Sequence, residues 1–138
     1  MAKPPLPEPV VELLRQPNPS VVASLTPSGA PMAVPTWYLL EDDGTILLNM
    51  DAERAQLRWM RERPQVSLSV LKDGEWYTHV SMRGTIVRWE DDPERAHADI
   101  DRLSQHYTGR QYPDRERPRV SAWLEIETWH GWGAAKND

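Results

Sequence analysis

The stretch from Thr26 to Pro64 decides the fold of this chain, because it places turns, strands and a helix in a clear order. It reads Thr26-Pro-Ser-Gly-Ala-Pro-Met-Ala-Val-Pro-Thr-Trp-Tyr38, then Gly44-Thr-Ile-Leu-Leu-Asn-Met-Asp51, then Ala52-Glu-Arg-Ala-Gln-Leu-Arg-Trp-Met-Arg-Glu-Arg-Pro64. Proline and glycine in the first segment, and Asp-Gly before the second, are typical of hairpin turns. The stretch therefore predicts a hairpin, a further strand and a short basic helix that Pro64 ends.

The rest of the chain adds strands on both sides of this stretch. Apolar and β-branched residues, in places alternating with polar ones, predict six strands, over 20–26, 32–40, 45–50, 65–71, 76–90 and 119–132. Gly84 predicts a bend within the fifth of these strands. Proline and acidic residues predict helices over 9–15, 51–63 and 93–109. Because a closed sheet has no exposed edges, we predict a mainly β fold, a six-stranded antiparallel barrel with peripheral helices.

Length and composition limit the class of protein. The 138 residues suit one domain, and the net charge of -5 argues against nucleic acid or an anionic membrane as the main partner. The absence of cysteine excludes disulfides, thiolate nucleophiles and cysteine metal sites. The sequence has neither a signal-peptide core nor an apolar run of about 18 residues, the length that spans a membrane. We expect a cytoplasmic protein.

Three arginines of the predicted helix are candidates for binding an anion. Arg54, Arg58 and Arg61 have a spacing that puts them on one helix face. Asp51 is predicted to cap this helix, and Arg54 near its first turn would favour a phosphate group. A solvated basic face that pairs with neighbouring acids would have the same pattern. The spacing alone favours the solvated face.

A second group of candidates lies on two neighbouring strands and a turn. Pro35-Thr-Trp-Tyr38 and Leu48-Asn-Met50 could surround the edge of a flat heterocycle, although one of Trp37 and Tyr38 is expected to be core. Trp76-Tyr-Thr-His79 could stack on a ring or contact a partner subunit. The four histidines lack metal-ligand spacing, so we expect no metal site. Redox chemistry would need an organic cofactor.

The order of the elements and several short motifs resemble the pyridoxamine 5'-phosphate-oxidase-like split-barrel family. These motifs are Ser28-Gly-Ala-Pro31, Val34-Pro-Thr-Trp-Tyr38, Arg54-Ala-Gln-Leu-Arg58, Arg61-Glu-Arg-Pro-Gln-Val-Ser-Leu68, Gly74-Glu-Trp-Tyr77 and Arg83-Gly-Thr85. The chain looks most like the branch of small oxidoreductases that use coenzyme F420. The resemblance implies a split barrel of the FMN-binding type, with a cofactor-binding domain over 10–132, a flexible lead-in over 1–9 and a flexible tail over 133–138.

The resemblance also implies a function and a set of site residues. It implies a homodimer with cofactor sites along the interface, and hydride transfer from reduced F420 to an unsaturated small-molecule acceptor. The implied cofactor-binding residues are Pro35, Thr36, Trp37, Leu48, Asn49, Met50, Arg54, Gln56, Arg58, Trp76 and Tyr77. Among them Arg54, Gln56 and Arg58 would hold the phosphate. Relatives commonly have lysine at the position of Gln56, and an amide brings no charge.

Two alternatives remain open from the sequence. An FMN-dependent oxidoreductase would use the same barrel and the same phosphate-binding residues. A non-catalytic flavin- or deazaflavin-binding protein would also fit, because the sequence shows no nucleophile. No catalytic residue is assigned, although Tyr77 and His79 are proton donors worth testing.

Overall fold

The computed structural model describes residues 1–136, which form one antiparallel sheet and three α-helices. The helices are α1 Glu8–Leu14, α2 Ala55–Glu62 and α3 Pro93–Thr108. The strands are β1 Ser20–Leu25, β2 Pro31–Thr36, β3 Leu39–Leu40, β4 Ile46–Asp51, β5 Gln65–Lys72, β6 Glu75–Glu90 and β7 Arg119–Trp132. A short 3-10 turn, Gly133–Ala135, follows β7.

The strands lie in the order β2-β1-β5-β6-β7-β4-β3. This confirms the predicted mainly β split barrel with peripheral helices, but it has seven strands rather than six. The difference arises in the segment 32–40, which was predicted as one strand and is divided into β2 and β3. Residues 37 and 38 separate these two strands.

The short connection between β2 and β3 brings the two edges of the sheet together. β2 and β3 are the two edges of the sheet, and only Trp37 and Tyr38 connect them. Since an extended residue spans at most about 3.5 Å, this connection holds the two edges close together. No ladder joins β2 to β3 or β4 among residues 1–136, so the barrel is split at this point.

Tyr38 is the core member of the Trp37–Tyr38 pair, and buried hydrogen bonds hold it. Its side chain is 0% exposed, and its hydroxyl donates to the carbonyl oxygen of Gln16 at 3.0 Å. Asn18 Nδ2 donates to Leu13 O at 2.6 Å and to Tyr38 Oη at 3.3 Å. Asn18 Oδ1 accepts from the amide of Asp73 at 3.0 Å. Burial raises the pKa of Tyr38 above its ordinary value, so the phenol keeps its proton.

Gly84, where a bend was predicted, lies at an irregularity in the pairing of β6. The pairing of β6 with β7 shifts register between Arg83 and Gly84. A Cβ atom on Gly84 would lie 1.9 Å from the carbonyl oxygen of Glu125, so no side chain fits there.

α2 begins later than predicted, at Ala55, and the predicted Asp51 cap is wrong. Asp51 is the last residue of β4, where its pairing with Arg119 keeps the backbone extended. Its Oδ1 accepts instead from the amide of Glu53 at 2.9 Å, within the turn before the helix. Arg54 occupies the N-cap position and makes no side-chain capping bond, so the first turn keeps free amides.

Buried polar side chains fasten α3 to the sheet. Asn49 Nδ2, on β4, donates to the carbonyl oxygen of Ala96 at 2.9 Å and to Ser121 Oγ at 3.0 Å. Ser121 Oγ donates to Asp99 Oδ2 at 2.7 Å. Because unpaired buried polar groups are costly, this chain of bonds fixes where α3 lies on β4 and β7.

Both ends of the described chain contact the barrel. Ala2 exchanges two backbone hydrogen bonds with Trp129, and Ala135 is buried. The division into a lead-in over 1–9, a domain over 10–132 and a tail over 133–138 stays a prediction, and residues 137–138 lie outside the described part. Within residues 1–136, none of the helices combines the length and the apolar character needed to cross a membrane.

Exchanging Asn18 for alanine should lower the free energy of unfolding by about 3 kcal/mol, because buried hydrogen bonds to three elements are lost. Urea denaturation followed by circular dichroism measures the change. Gln65→Ala, at an exposed position of β5, is the control and should change stability by less than about 0.5 kcal/mol. A loss of less than about 1 kcal/mol for Asn18→Ala would contradict this role.

Candidate functional site

A cavity of about 610 Å³ opens where the ends of β2 and β4 meet the start of α2. Its size is typical of sites that bind small molecules. Its lining comes from residues 17–20, 34–37 and 49–51, from Arg54 and Gln56 at the start of α2, and from α3, the loop before β7 and Arg119. The cavity therefore lies beside the crossing that closes the barrel.

Seven of the eleven predicted site residues line this cavity, namely Pro35, Thr36, Trp37, Asn49, Met50, Arg54 and Gln56. The other four lie elsewhere. Leu48 is in the core with 1% of its surface exposed, because its side chain alternates with that of Asn49 across β4. Arg58 is exposed on α2. Trp76 and Tyr77 are 74% and 72% exposed at the start of β6.

Aromatic rings form one wall of the cavity. Trp37 stacks on Tyr107 of α3, with ring centroids 5.3 Å apart and planes 10° from parallel. The ring of Tyr112 stands edge-on to Trp37 at 6.3 Å. Burial raises the pKa of Tyr107 to about 12, and its hydroxyl donates to the carbonyl oxygen of Asn18 at 2.7 Å. Tyr107 therefore keeps its proton at physiological pH, and the wall presents aromatic ring surface to the cavity.

Gln56 has a buried polar atom without a partner. The residue is 9% exposed, and its Nε2 makes no hydrogen bond within the described part of the chain. A buried amide donor left unpaired costs about 1–3 kcal/mol. Because Gln56 lines the cavity, a ligand acceptor there would satisfy it. Arg54, next to it in the cavity wall, makes no ion pair within residues 1–136.

The three arginines predicted to share one helix face do not act together. Arg54 precedes α2 and lines the cavity, whereas Arg58 is exposed and outside its lining. Arg61 forms an ion pair with Asp91, and its guanidinium lies 4.5 Å from the ring centroid of Trp89. Arg58 and Arg61 thus agree with the alternative of a solvated basic face that pairs with acids, whereas Arg54, before the first residue of α2, lines the cavity.

Arg119 is a cavity residue that sequence reasoning missed. Its Nε donates to Asn49 Oδ1 at 2.8 Å, and its guanidinium lies 5.1 Å from the ring centroid of Tyr112. Burial lowers the pKa of this guanidinium below its ordinary value. The residue opens the last strand, and only the pairing of β7 with β4 brings it to the cavity. No local motif marks it.

The polar atoms of the cavity do not suggest a metal centre or an acid–base pair. Within residues 1–136, no three histidine, aspartate or glutamate side chains lie close enough together to hold a metal ion. Asn49, predicted to line a ring, uses its side chain in hydrogen bonds to Ala96, Ser121 and Arg119. Tyr77 and His79, the suggested proton donors, are not among the cavity residues. The arrangement can bind and orient a ligand with an anionic group.

Comparison with solved structures finds the same fold in other proteins. An F420 reductase is 23% identical, with a TM-score of 0.79 over 90% of this chain and 98% of that one. A conserved hypothetical protein from Mycobacterium tuberculosis is 20% identical, with a TM-score of 0.74 over 97% and 89% of the two chains. General Stress Protein 26 from Bacillus anthracis is 14% identical, with a TM-score of 0.68 over 91% and 92%. At these identities the likeness shows the fold alone.

Sequence comparison identifies the family. No curated protein sequence matches the chain. The family model described as pyridoxamine 5'-phosphate oxidase matches residues 6–133, which is nearly the whole chain. The match agrees with the split barrel and with the motifs around the cavity. The chain therefore belongs to the pyridoxamine 5'-phosphate oxidase family of split barrels.

Proposed function

We propose that this chain is an oxidoreductase that binds coenzyme F420 in the cavity and uses it to reduce an unsaturated small molecule. The observation that carries the proposal is the unpartnered Nε2 of Gln56, buried in the wall of a cavity that also has an aromatic side. Buried donors without partners are rare in folded proteins, and a bound ligand is one common reason for them. The fold shared with an F420 reductase supports the choice of cofactor.

The residues of the cavity fit a flat heterocycle with a phosphate-bearing tail. The stacked pair of Trp37 and Tyr107 offers apolar contact area to a ring system. At the other side, Arg54, the Gln56 amide and the uncapped start of α2 offer donors to an anion. The same features would also suit FMN, which keeps an FMN-dependent oxidoreductase as the alternative.

The chain's own residues would bind and orient rather than perform covalent chemistry. When bound, reduced F420 supplies a hydride, which the deazaflavin ring transfers to the acceptor. The aromatic wall would hold the ring and exclude water, and the donors near Arg54 would fix the tail. We assign no catalytic acid, since the hydroxyl of Tyr107 already donates its proton in a hydrogen bond to the carbonyl oxygen of Asn18.

We also propose that the working form is a homodimer. Trp76 and Tyr77 are exposed on β6, and Trp132 at the end of β7 is exposed as well. His79 pairs with Trp132, so these aromatic side chains lie near one another. Exposed aromatic clusters are typical of protein interfaces. In a dimer, Trp76 and Tyr77 would approach the partner's cavity; the resemblance to the family implies that they approach the cofactor either from the partner subunit or from the substrate side.

Titration of the purified protein with F420 and, separately, with FMN tests the choice of cofactor. Tryptophan fluorescence is a suitable readout, because Trp37 belongs to the cavity wall. We expect F420 to bind more tightly than FMN, and the reduced F420 complex to reduce members of a panel of enones and quinones. Tight FMN binding without F420 binding would contradict the proposal, and F420 binding without turnover of any acceptor would favour a non-catalytic binding protein.

Replacing Arg54 by alanine should weaken F420 binding by about 1.5–3 kcal/mol, because a charge-assisted contact to the phosphate is lost. The same titration measures this change. Arg58→Ala is the matched control, since Arg58 is an exposed arginine of α2 outside the cavity lining. We expect the control to bind within about 0.5 kcal/mol of the unmodified protein. Equal losses in both variants would refute a specific role for Arg54.

The double variant Trp76→Ser/Tyr77→Ser should be monomeric, because it removes most of the exposed aromatic area at the proposed interface. Sedimentation equilibrium measures the mass, and circular dichroism shows whether the barrel remains folded. The exchange Val87→Ser, at another exposed apolar position of β6, serves as the control and should stay dimeric. A folded double variant that is still dimeric would place the interface elsewhere.

A further inference from the structure

Arg119 lies in the cavity wall, and no carboxylate forms an ion pair with its guanidinium among the described residues, although the charges of Asp51 and Asp114 act on it from a greater distance. It is partly buried, and among the described residues no aspartate or glutamate oxygen lies within 4.0 Å of it. Its Nε is engaged, whereas its two terminal nitrogens make only long contacts, to Tyr112 Oη at 3.4 Å and to Asn49 O at 3.5 Å. A guanidinium of this kind loses solvation without gaining an ion pair.

The nearest candidate to neutralise Arg119 is held by other groups. Asp51 is its direct partner in the pairing of β4 with β7. However, Asp51 Oδ2 lies 3.2 Å from Arg117 Nη1, and Asp51 Oδ1 accepts from the amide of Glu53 at 2.9 Å. The Asp51 carboxylate is thus engaged by Arg117 and by the amide of Glu53, and the two terminal nitrogens of Arg119 are left available to another anion.

The Arg119 side chain is also held in place from two directions. Asn49 Oδ1 accepts its Nε–H, and Asn49 itself is fixed by its bonds to Ala96 O and Ser121 Oγ. The ring of Tyr112 supports the guanidinium by a cation–π contact. A guanidinium held in this way loses little conformational freedom on binding, and its planar fork matches the oxygens of a phosphate.

We propose that Arg119 is an anion-anchoring residue of the cavity, which binds a phosphate group of the ligand together with Arg54 and the Nε2 of Gln56. These three side chains line the same cavity and come from β7, from the turn before α2 and from α2 itself. Each brings donors without a strong partner in the described residues. The proposal rests on the proposed function only where the phosphate belongs to a flavin or deazaflavin, since free phosphate would use the same donors.

Pairs of ligands with and without the phosphate test this role. FMN is compared with riboflavin, which lacks only the phosphate, and F420 with its deazaflavin riboside, which lacks the whole phosphate-bearing tail, in titrations of the unmodified protein and of Arg119→Gln. We expect Arg119→Gln to lower the preference for the phosphate-bearing ligand about tenfold, while the phosphate-free ligand binds as before. The control Arg58→Gln should keep the full preference. Inorganic phosphate, at matched ionic strength, should raise the melting temperature of the unmodified protein and not that of Arg119→Gln.

The outcomes separate this inference from the proposed function. Flavin or F420 binding with an unchanged preference in Arg119→Gln would overturn the role of Arg119 and leave the function standing. If no flavin or deazaflavin binds, but inorganic phosphate still raises the melting temperature of the unmodified protein and not that of Arg119→Gln, the proposed function fails and the role of Arg119 stands. If Arg119→Gln does not fold, Arg119→Lys keeps the charge but loses the fork. A severalfold lower preference of Arg119→Lys for the phosphate-bearing ligand supports the inference, and an unchanged preference overturns it.

Discussion

The crossing of the chain at Trp37 and Tyr38 is the constraint on which the rest of the structure depends. These two residues carry the backbone from one edge of the sheet to the other, and so they bring β2 beside β3. The fully buried Tyr38 and its hydrogen-bonded neighbour Asn18 hold the crossing in place. Asn18 and Tyr38 fix the crossing because both side chains form hydrogen bonds only when the chain crosses at this place. A displaced crossing would leave these buried polar groups without partners. This one short connection therefore brings the edges of the sheet together and so closes the barrel, while β2 and β3 form no ladder with each other, which leaves the barrel split.

The cavity is a direct consequence of this crossing. Tyr38 faces the core, so its neighbour Trp37 faces the other way, toward α3, where Tyr107 stacks on it. The bonds of Asn49 bring α3 and the start of β7 to the same place. The site is thus built from long-range contacts between elements that are far apart in the sequence. Its groups are suited to binding and orienting a ligand, which is what a protein contributes when a cofactor supplies the reactive centre.

The sequence predicted the features that depend on local patterns. Alternation of apolar and polar residues located the strands, and Gly84 marked the irregularity in β6, where a Cβ would meet Glu125 O. Features set by pairing between distant strands were missed. Asp51 stays extended because it pairs with Arg119, so the helix starts at Ala55, and no local pattern contains that information.

Contacts between distant parts of the chain also explain why the sequence did not predict every residue of the site. The resemblance to the family directed attention to β2, β4 and the start of α2, and most of the residues named there line the cavity. Arg119 and Tyr112 reach it only through the register of β4 with β7 and the path of the loop after α3. Trp76 and Tyr77 lie outside the cavity of their own chain and are exposed at the start of β6.

The central claim is that this cavity binds the cofactor, and a crystal structure of the protein with F420 tests it most directly. The account predicts the deazaflavin ring in the cavity against Trp37, with the phosphate within hydrogen-bonding distance of Arg54 and of Gln56 Nε2. F420 bound at another surface, with the cavity filled only by solvent, would contradict it.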